Sequence, residues 1–241
     1  SQGDWHLDLD KLFSAADART RLIFVNSPGN PTGWMMEGEQ QRAILDFCRE
    51  RGIWIVADEV YGRLVYDRAV APSFLNIADP EDPVVVVNSF SKSWAMTGWR
   101  MGWLIHPERL TEKIGDLVEY NTSGTPEFLQ EAGIVAVRDG EETVAAMVER
   151  CRNGRDAASR RLAGMPRVIY RPPAAAFYAF FKVDGMEHSL DFAKRLATEF
   201  KVGIAPGTAF GPSGEGWLRL CFAQSPERID EAMDRLERAL A

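Results

Sequence analysis

Asn30 in "NPTG", Asp58 and Tyr61 in "DEVY", and Ser89, Ser91 and Lys92 in "SFSK" are the residues of this 241-residue chain whose types and placement point to chemistry. Together they supply an amide, a carboxylate, a phenol, two hydroxyls and an amine, groups that bind a small molecule and move protons on it. Each cluster follows an apolar run. Polar groups carried to one edge of a sheet by three different loops can converge on one ligand, a placement that scattered surface charges would not share. Lys92 raises the sharpest question, because it stands just beyond the run "PVVVV".

The elements that must position these residues read as follows. Leu22 to Val25 is a buried strand, stopped by the prolines and glycines of "NSPGNPTG". Ile44, Leu45 and Cys48 have helical spacing, and Gly52 is a natural stop before a second buried strand in "IWIVADEVY". "PVVVVNS" is a third strand, continuous in valine and therefore covered on both faces, and "RMGWLI" a fourth. Strands alternating with helices predict an α/β fold with an open, mostly parallel sheet and helices on both faces, whose ligands sit beyond the carboxyl ends of the strands.

From Pro126 to Leu162 the chain reads as two or more helical pieces, since Gly133, Gly140 and Gly154 interrupt a single one. After Pro166 the style changes. Two β-like runs ("RVIYRPP" and "AAFYAFFKV"), a helix around "SLDFAKRLATEF", a Gly/Pro-rich loop, the strand "WLRLCFA" and a closing helix predict a small C-terminal α+β domain. In the closing helix Ile229, Ala232, Met233, Leu236 and Leu240 fall on one face. The boundary is expected near residue 160, giving a 1–160 domain with linking helices and a 161–241 domain.

A formal charge of −7, with no cluster of lysines or arginines, argues against nucleic acid and against an anionic membrane surface. Three cysteines at patternless spacing fit reduced thiols and a cytoplasmic setting better than a disulfide framework. No apolar run approaches a membrane span, and the opening "SQGDWHLDLD" lacks the marks of a signal peptide. The three histidines are isolated, so no metal site is expected.

The segments "NSPGNPTG", "ADEVYGRLVYD", "SFSKSWAMTGWRMGW" and "LRLCF" resemble, in order and separation, the fold-type I, class I/II aminotransferases of amino-acid metabolism, which use pyridoxal 5′-phosphate. The resemblance runs along essentially the whole chain. Any one segment alone would be weak; four in order are specific. It implies that Lys92 forms the Schiff base with the cofactor aldehyde and later serves as the base that removes the substrate's α-proton and returns a proton to the cofactor. It implies that Asp58 faces the protonated ring nitrogen, and that Tyr61 and Asn30 donate to the phenolic oxygen. Ser89, Ser91 and Arg100 would anchor the phosphate, the planar arginine fork binding its oxygens in pairs, and "MTGWRMGW" argues against a freely solvated Arg100. Arg219 would grip the substrate's α-carboxylate, with the outward-facing strand arginine as the alternative.

Members of that family extend further at the N-terminus. That part supplies a helix N-terminus for the phosphate, an aromatic over the cofactor ring, a piece of the small domain and a tyrosine for the partner subunit's site. The chain is therefore expected to be the C-terminal two thirds of such an enzyme, a homodimer when complete, with an incomplete sheet that exposes an edge. Two other readings stay open. The same residues support a C–S β-lyase, and an aminotransferase-derived regulatory or inactive module is the third. The preferred one is transfer of an amino group from an L-amino acid to a 2-oxo acid.

Overall fold

The computed structural model describes residues 4–240, which divide into two compact units. One holds Leu7–Pro28 and Met35–Met147; the other holds 4–6, Gly29–Trp34 and 148–240.

The first unit is built on a four-stranded sheet. Its elements in chain order are α1 (Leu9–Ala15), β1 (Leu22–Asn26), α2 (Gly38–Arg51), β2 (Trp54–Asp58), β3 (Val84–Ser89), α3 (Phe90–Ser93), β4 (Gly102–Ile105), α4 (Thr111–Thr122) and α5 (Glu127–Asp139). The sheet order is β1-β2-β3-β4, with β1, β2 and β3 parallel and β4 antiparallel to β3. The α/β class and the mostly parallel sheet agree with the sequence reading. Ile55, Ala57, Val84 and Val86 form its buried rows. α2 covers it with Ile44, Leu45 and Cys48, all fully buried, each large side chain contributing about 1.5–3 kcal/mol of hydrophobic stabilisation. The Gln40 side chain accepts from the Glu37 N–H at the start of α2, and Gly52, at φ +65, ends it as expected.

β2 is shorter than its apolar run suggests. It stops at Asp58, and Glu59 to Leu64 turn away, the Gly62 N–H bonding Glu59 O and the Leu64 N–H bonding Tyr61 O. That turn is what carries Tyr61 off the strand. α1 and α4 were not anticipated. α1 is short and capped by Asp8, which accepts from the Lys11 N–H; α4 has no buried residue. Large apolar side chains stand exposed along β4, α4 and α5, among them Leu104, Leu117, Tyr120, Phe128 and Ile134.

α6 (Glu141–Ala163) continues the chain into the second unit. The long helical stretch breaks at Gly140, as its glycines foretold, whereas Gly133 and Gly154 lie inside helices. Then follow β5 (Val168–Ile169), β6 (Tyr178–Val183), α7 (Ser189–Thr198), β7 (Ala205–Pro206), β8 (Trp217–Cys221) and α8 (Pro226–Leu240). The sheet order is β5-β6-β8-β7, antiparallel throughout. α8 buries Ile229, Met233, Leu236, Ala239 and Leu240; Ala232 is only half-buried, and Ala239 takes the place expected of it. Among the described residues no helix is long and apolar enough to cross a membrane.

Candidate active site

In the first unit the carboxyl ends of β2 and β3 carry most of the expected set. Asp58, last residue of β2, is half-buried and accepts the Val60 N–H at 3.2 Å. Burial pushes its carboxyl above the usual value, while the Val60 N–H and the charge of Lys92 pull the other way. Tyr61 is buried, and Lys92 Nζ lies 5.7 Å from its ring centroid. Lys92 therefore lies near the phenol of Tyr61, and its charge reaches the carboxylate of Asp58. Lys92 is carried by the one-turn helix α3, which starts directly at the end of β3.

Ser89 caps that turn. Its hydroxyl accepts the Ser91 N–H at 3.0 Å and donates to Met101 O at 3.1 Å, tying α3 to the approach of β4. Gly102 completes the tie, because a Cβ there would stand 2.5 Å from Asn88 O. Ser91 is buried, its carbonyl accepting from Thr97 Oγ1 at 3.0 Å. Arg100 departs from expectation. It is exposed, with φ +55, and Nη1 donates to Thr97 O at 3.0 Å. The apolar neighbours did not bury it, since the chain leaves the Thr97–Trp99 turn in the left-handed region and Trp99 itself stands exposed.

Asn30 and Arg219 belong to the second unit. The 29–34 segment closes on itself, Gly33 N–H bonding Gly29 O at 2.9 Å, and is fastened by the Ala175 N–H to Gly33 O at 3.1 Å. Arg219 lies on β8 between buried Leu218 and Leu220 and on the opposite face from them. Its Nη1 donates to Asn30 Oδ1 at 2.9 Å. Its guanidinium carbon lies 4.4 Å from the Tyr178 ring centroid and 4.7 Å from that of Phe210. Arg219 Nε is buried without a hydrogen-bond partner among the described residues. Tyr178 and Phe210 escaped the sequence reading: "AAFYAFF" and "GTAF" signal aromatic content, not which ring meets the arginine.

The donor set suits pyridoxal 5′-phosphate and an amino-acid substrate. The first unit offers an amine for an aldehyde, a carboxylate for a ring nitrogen, a phenol for a phenolic oxygen and an exposed guanidinium for a phosphate; the second offers an arginine for a carboxylate. Among the described residues no group of three histidine, cysteine or acidic side chains is placed to hold a metal.

Residues 1–236 match the family described as aminotransferase class I and II, and the chain belongs to it. The chain is 36% identical over 236 residues to an aspartate aminotransferase of Pyrococcus horikoshii, covering 97% of this chain and 60% of that protein. It is 35% identical to the aromatic-amino-acid aminotransferase 2 of Thermococcus litoralis, covering 99% and 62%. Among solved structures, an aromatic aminotransferase of Pyrococcus horikoshii superposes with a TM-score of 0.91 at 33% identity, covering 98% of this chain and 64% of the other. The chain thus spans about three fifths of the length of these relatives.

Proposed function

We propose that this chain is the lysine-bearing portion of a pyridoxal-5′-phosphate-dependent aminotransferase that moves an amino group from an L-amino acid to a 2-oxo acid. The observation that carries the reading is the grouping of Lys92 with Tyr61 and Asp58 at the carboxyl ends of β2 and β3. When bound, pyridoxal 5′-phosphate supplies an electrophilic aldehyde and a ring that stores the electron pair released at the substrate's Cα. Lys92 would provide the nucleophilic amine and the base that takes up and returns the substrate's α-proton. Asp58 holds the ring nitrogen protonated, and a cationic ring beside it would draw its raised pKa back down. Tyr61 donates its hydroxyl to the phenolic oxygen. Ser89, Ser91 and Arg100 hold the phosphate, Arg100 with a guanidinium that solvent exposure leaves accessible. Arg219, oriented by Asn30, takes the substrate's α-carboxylate.

The amino donor we propose is a neutral or aromatic L-amino acid, since no second arginine is placed in the sequence for a dicarboxylate. Relatives carry both aspartate and aromatic aminotransferase names. We further propose a homodimer for the longer protein, a 1–160 cofactor domain followed by a 161–241 small domain, and a cytoplasmic setting consistent with three free cysteines.

The test is to mix the chain with pyridoxal 5′-phosphate, record the visible absorption, reduce with borohydride and locate the modified residue by mass spectrometry. A visible band and a single adduct on Lys92, both absent in Lys92→Ala, are expected. Labelling spread over surface lysines and unchanged in the variant would sink the reading. Release of pyruvate and thiol from a cysteine conjugate without any 2-oxo acid would reassign the reaction to β-elimination.

A further inference from the structure

Arg219 is held in an unusual way for a strand arginine. Among the described residues no carboxylate pairs with it; its neighbours are one amide oxygen and two aromatic rings. On β6 its direct register partner is Phe180, and Tyr178, whose own partner is Cys221, is the diagonal neighbour on the same face. On the other side, β7 sets small Ala205 opposite Arg219. Phe210 arrives from the Gly207–Phe210 turn. That turn is folded hard onto the next one, for a Cβ at Gly207 would stand 2.1 Å from Gly214 O. Both rings are themselves fixed. Phe210 packs edge-on against Phe180 at 6.1 Å, Phe180 stacks on Trp217 at 5.1 Å, and Tyr178 lies 4.7 Å from Phe177.

A ring face attracts a guanidinium but accepts none of its in-plane N–H donors in the way an acidic side chain would. With Nη1 given to Asn30 and the cation lying over two rings, the remaining in-plane donors have no protein acceptor among the described residues, buried Nε being one of them. We propose that Tyr178 and Phe210 are positioning residues for substrate binding: they hold the Arg219 guanidinium through their ring faces and so aim its remaining in-plane donors at a single carboxylate. This rests on the reading of Arg219 as the carboxylate anchor and adds the two rings that give it its orientation.

The test needs no turnover and no cofactor. The chain is labelled with 15N-arginine, the Arg219 Nε–H signal is assigned by its loss in Arg219→Lys, and the protein is titrated with acetate, using acetamide as the neutral control. In the unsubstituted chain the signal is ring-shifted and moves saturably with acetate but not with acetamide. Tyr178→Leu and Phe210→Leu, which keep apolar bulk but remove the π face, return the signal toward its ordinary position and weaken acetate binding about tenfold. Tyr178→Phe and Phe210→Tyr restore both. Acetate affinity and Nε–H shift unchanged in the leucine variants would overturn the proposal, and so would a signal indifferent to acetate in the unsubstituted chain. Phe210 is partly exposed, so its leucine variant carries the test even if buried Tyr178 does not tolerate leucine. The proposed function fails on the Lys92 adduct and this inference on the Arg219 signal, so the two failures are read separately.

Discussion

Arg219 donates Nη1 to Asn30 Oδ1 at 2.9 Å, a bond between residues 189 positions apart in the chain. The acceptor is neutral, and that is its value. An amide orients the guanidinium without cancelling its charge, so the arginine keeps its attraction for an anion. Asn30→Asp would turn this contact into an internal ion pair that an incoming carboxylate must displace. Acetate affinity at Arg219 is expected to fall about ten- to a hundredfold in Asn30→Asp, the worth of one charge-assisted hydrogen bond, and less in Asn30→Ala. Titration of the Arg219 Nε–H signal measures both.

Asp58 gives a prediction with a sign that depends on pH. Burial raises its folded-state pKa, so the fold disfavours the carboxylate; the stability associated with this group is full below the unfolded pKa and is lost as pH rises through the folded one. Asp58→Asn removes the penalty. The urea midpoint of the cofactor-free variant should exceed that of the parent at pH 7, with the gap closing as pH falls toward the usual carboxylate range near 3.8. Affinity for pyridoxal 5′-phosphate should move the opposite way, falling about ten- to a hundredfold. A parent more stable than the variant at pH 7 would mean that the Val60 N–H and the Lys92 charge outweigh burial.

Gly33 is the residue on which the 29–34 segment depends. Its φ is +65, and an added Cβ would lie 2.3 Å from Pro173 Cβ and 2.6 Å from Ala175 O. Gly33→Ala should therefore cost about 2 kcal/mol or more, from left-handed strain and overpacking together. Urea denaturation reads the loss of stability. Because Asn30 lies three residues away, weaker acetate binding at Arg219 is expected in the same variant.

The cysteines should differ in reactivity. Burial pushes the Cys48 thiol up to about 11 and, with Cys221 nearby, the Cys151 thiol up to about 12; both are fully buried, whereas Cys221 is half-buried. A disulfide reagent at pH 8 should modify Cys221 alone in the native chain. All three should react in denaturant, and Cys221→Ser should abolish the native reaction. Fast modification of Cys48 or Cys151 would contradict their burial.

Much of the first unit was legible because local rules sufficed. Continuous valine predicted a strand, and β3 forms there, although only Val84 and Val86 are buried where cover on both faces was expected; Gly52 marked the end of α2. Lys92, Asp58 and Tyr61 could be singled out because each follows an apolar run, and a strand delivers its next residues to a known edge of the sheet. Arg100 was misjudged from the same kind of pattern, since apolar neighbours in sequence do not bury a residue whose own backbone turns it outward.

The sequence by itself determined which residues end the strands and what chemistry their side chains can offer, because those depend on hydrophobic runs, turn residues and functional groups a few positions apart. Only the tertiary structure decided that Asn30 accepts from Arg219, that Tyr178 and Phe210 flank the guanidinium, and that Nε is buried with no acceptor among the described residues. Those relationships join a loop near residue 30, a strand near 180, a turn near 210 and a strand near 219. Their geometry follows from strand register and close packing between distant segments, which no local pattern encodes.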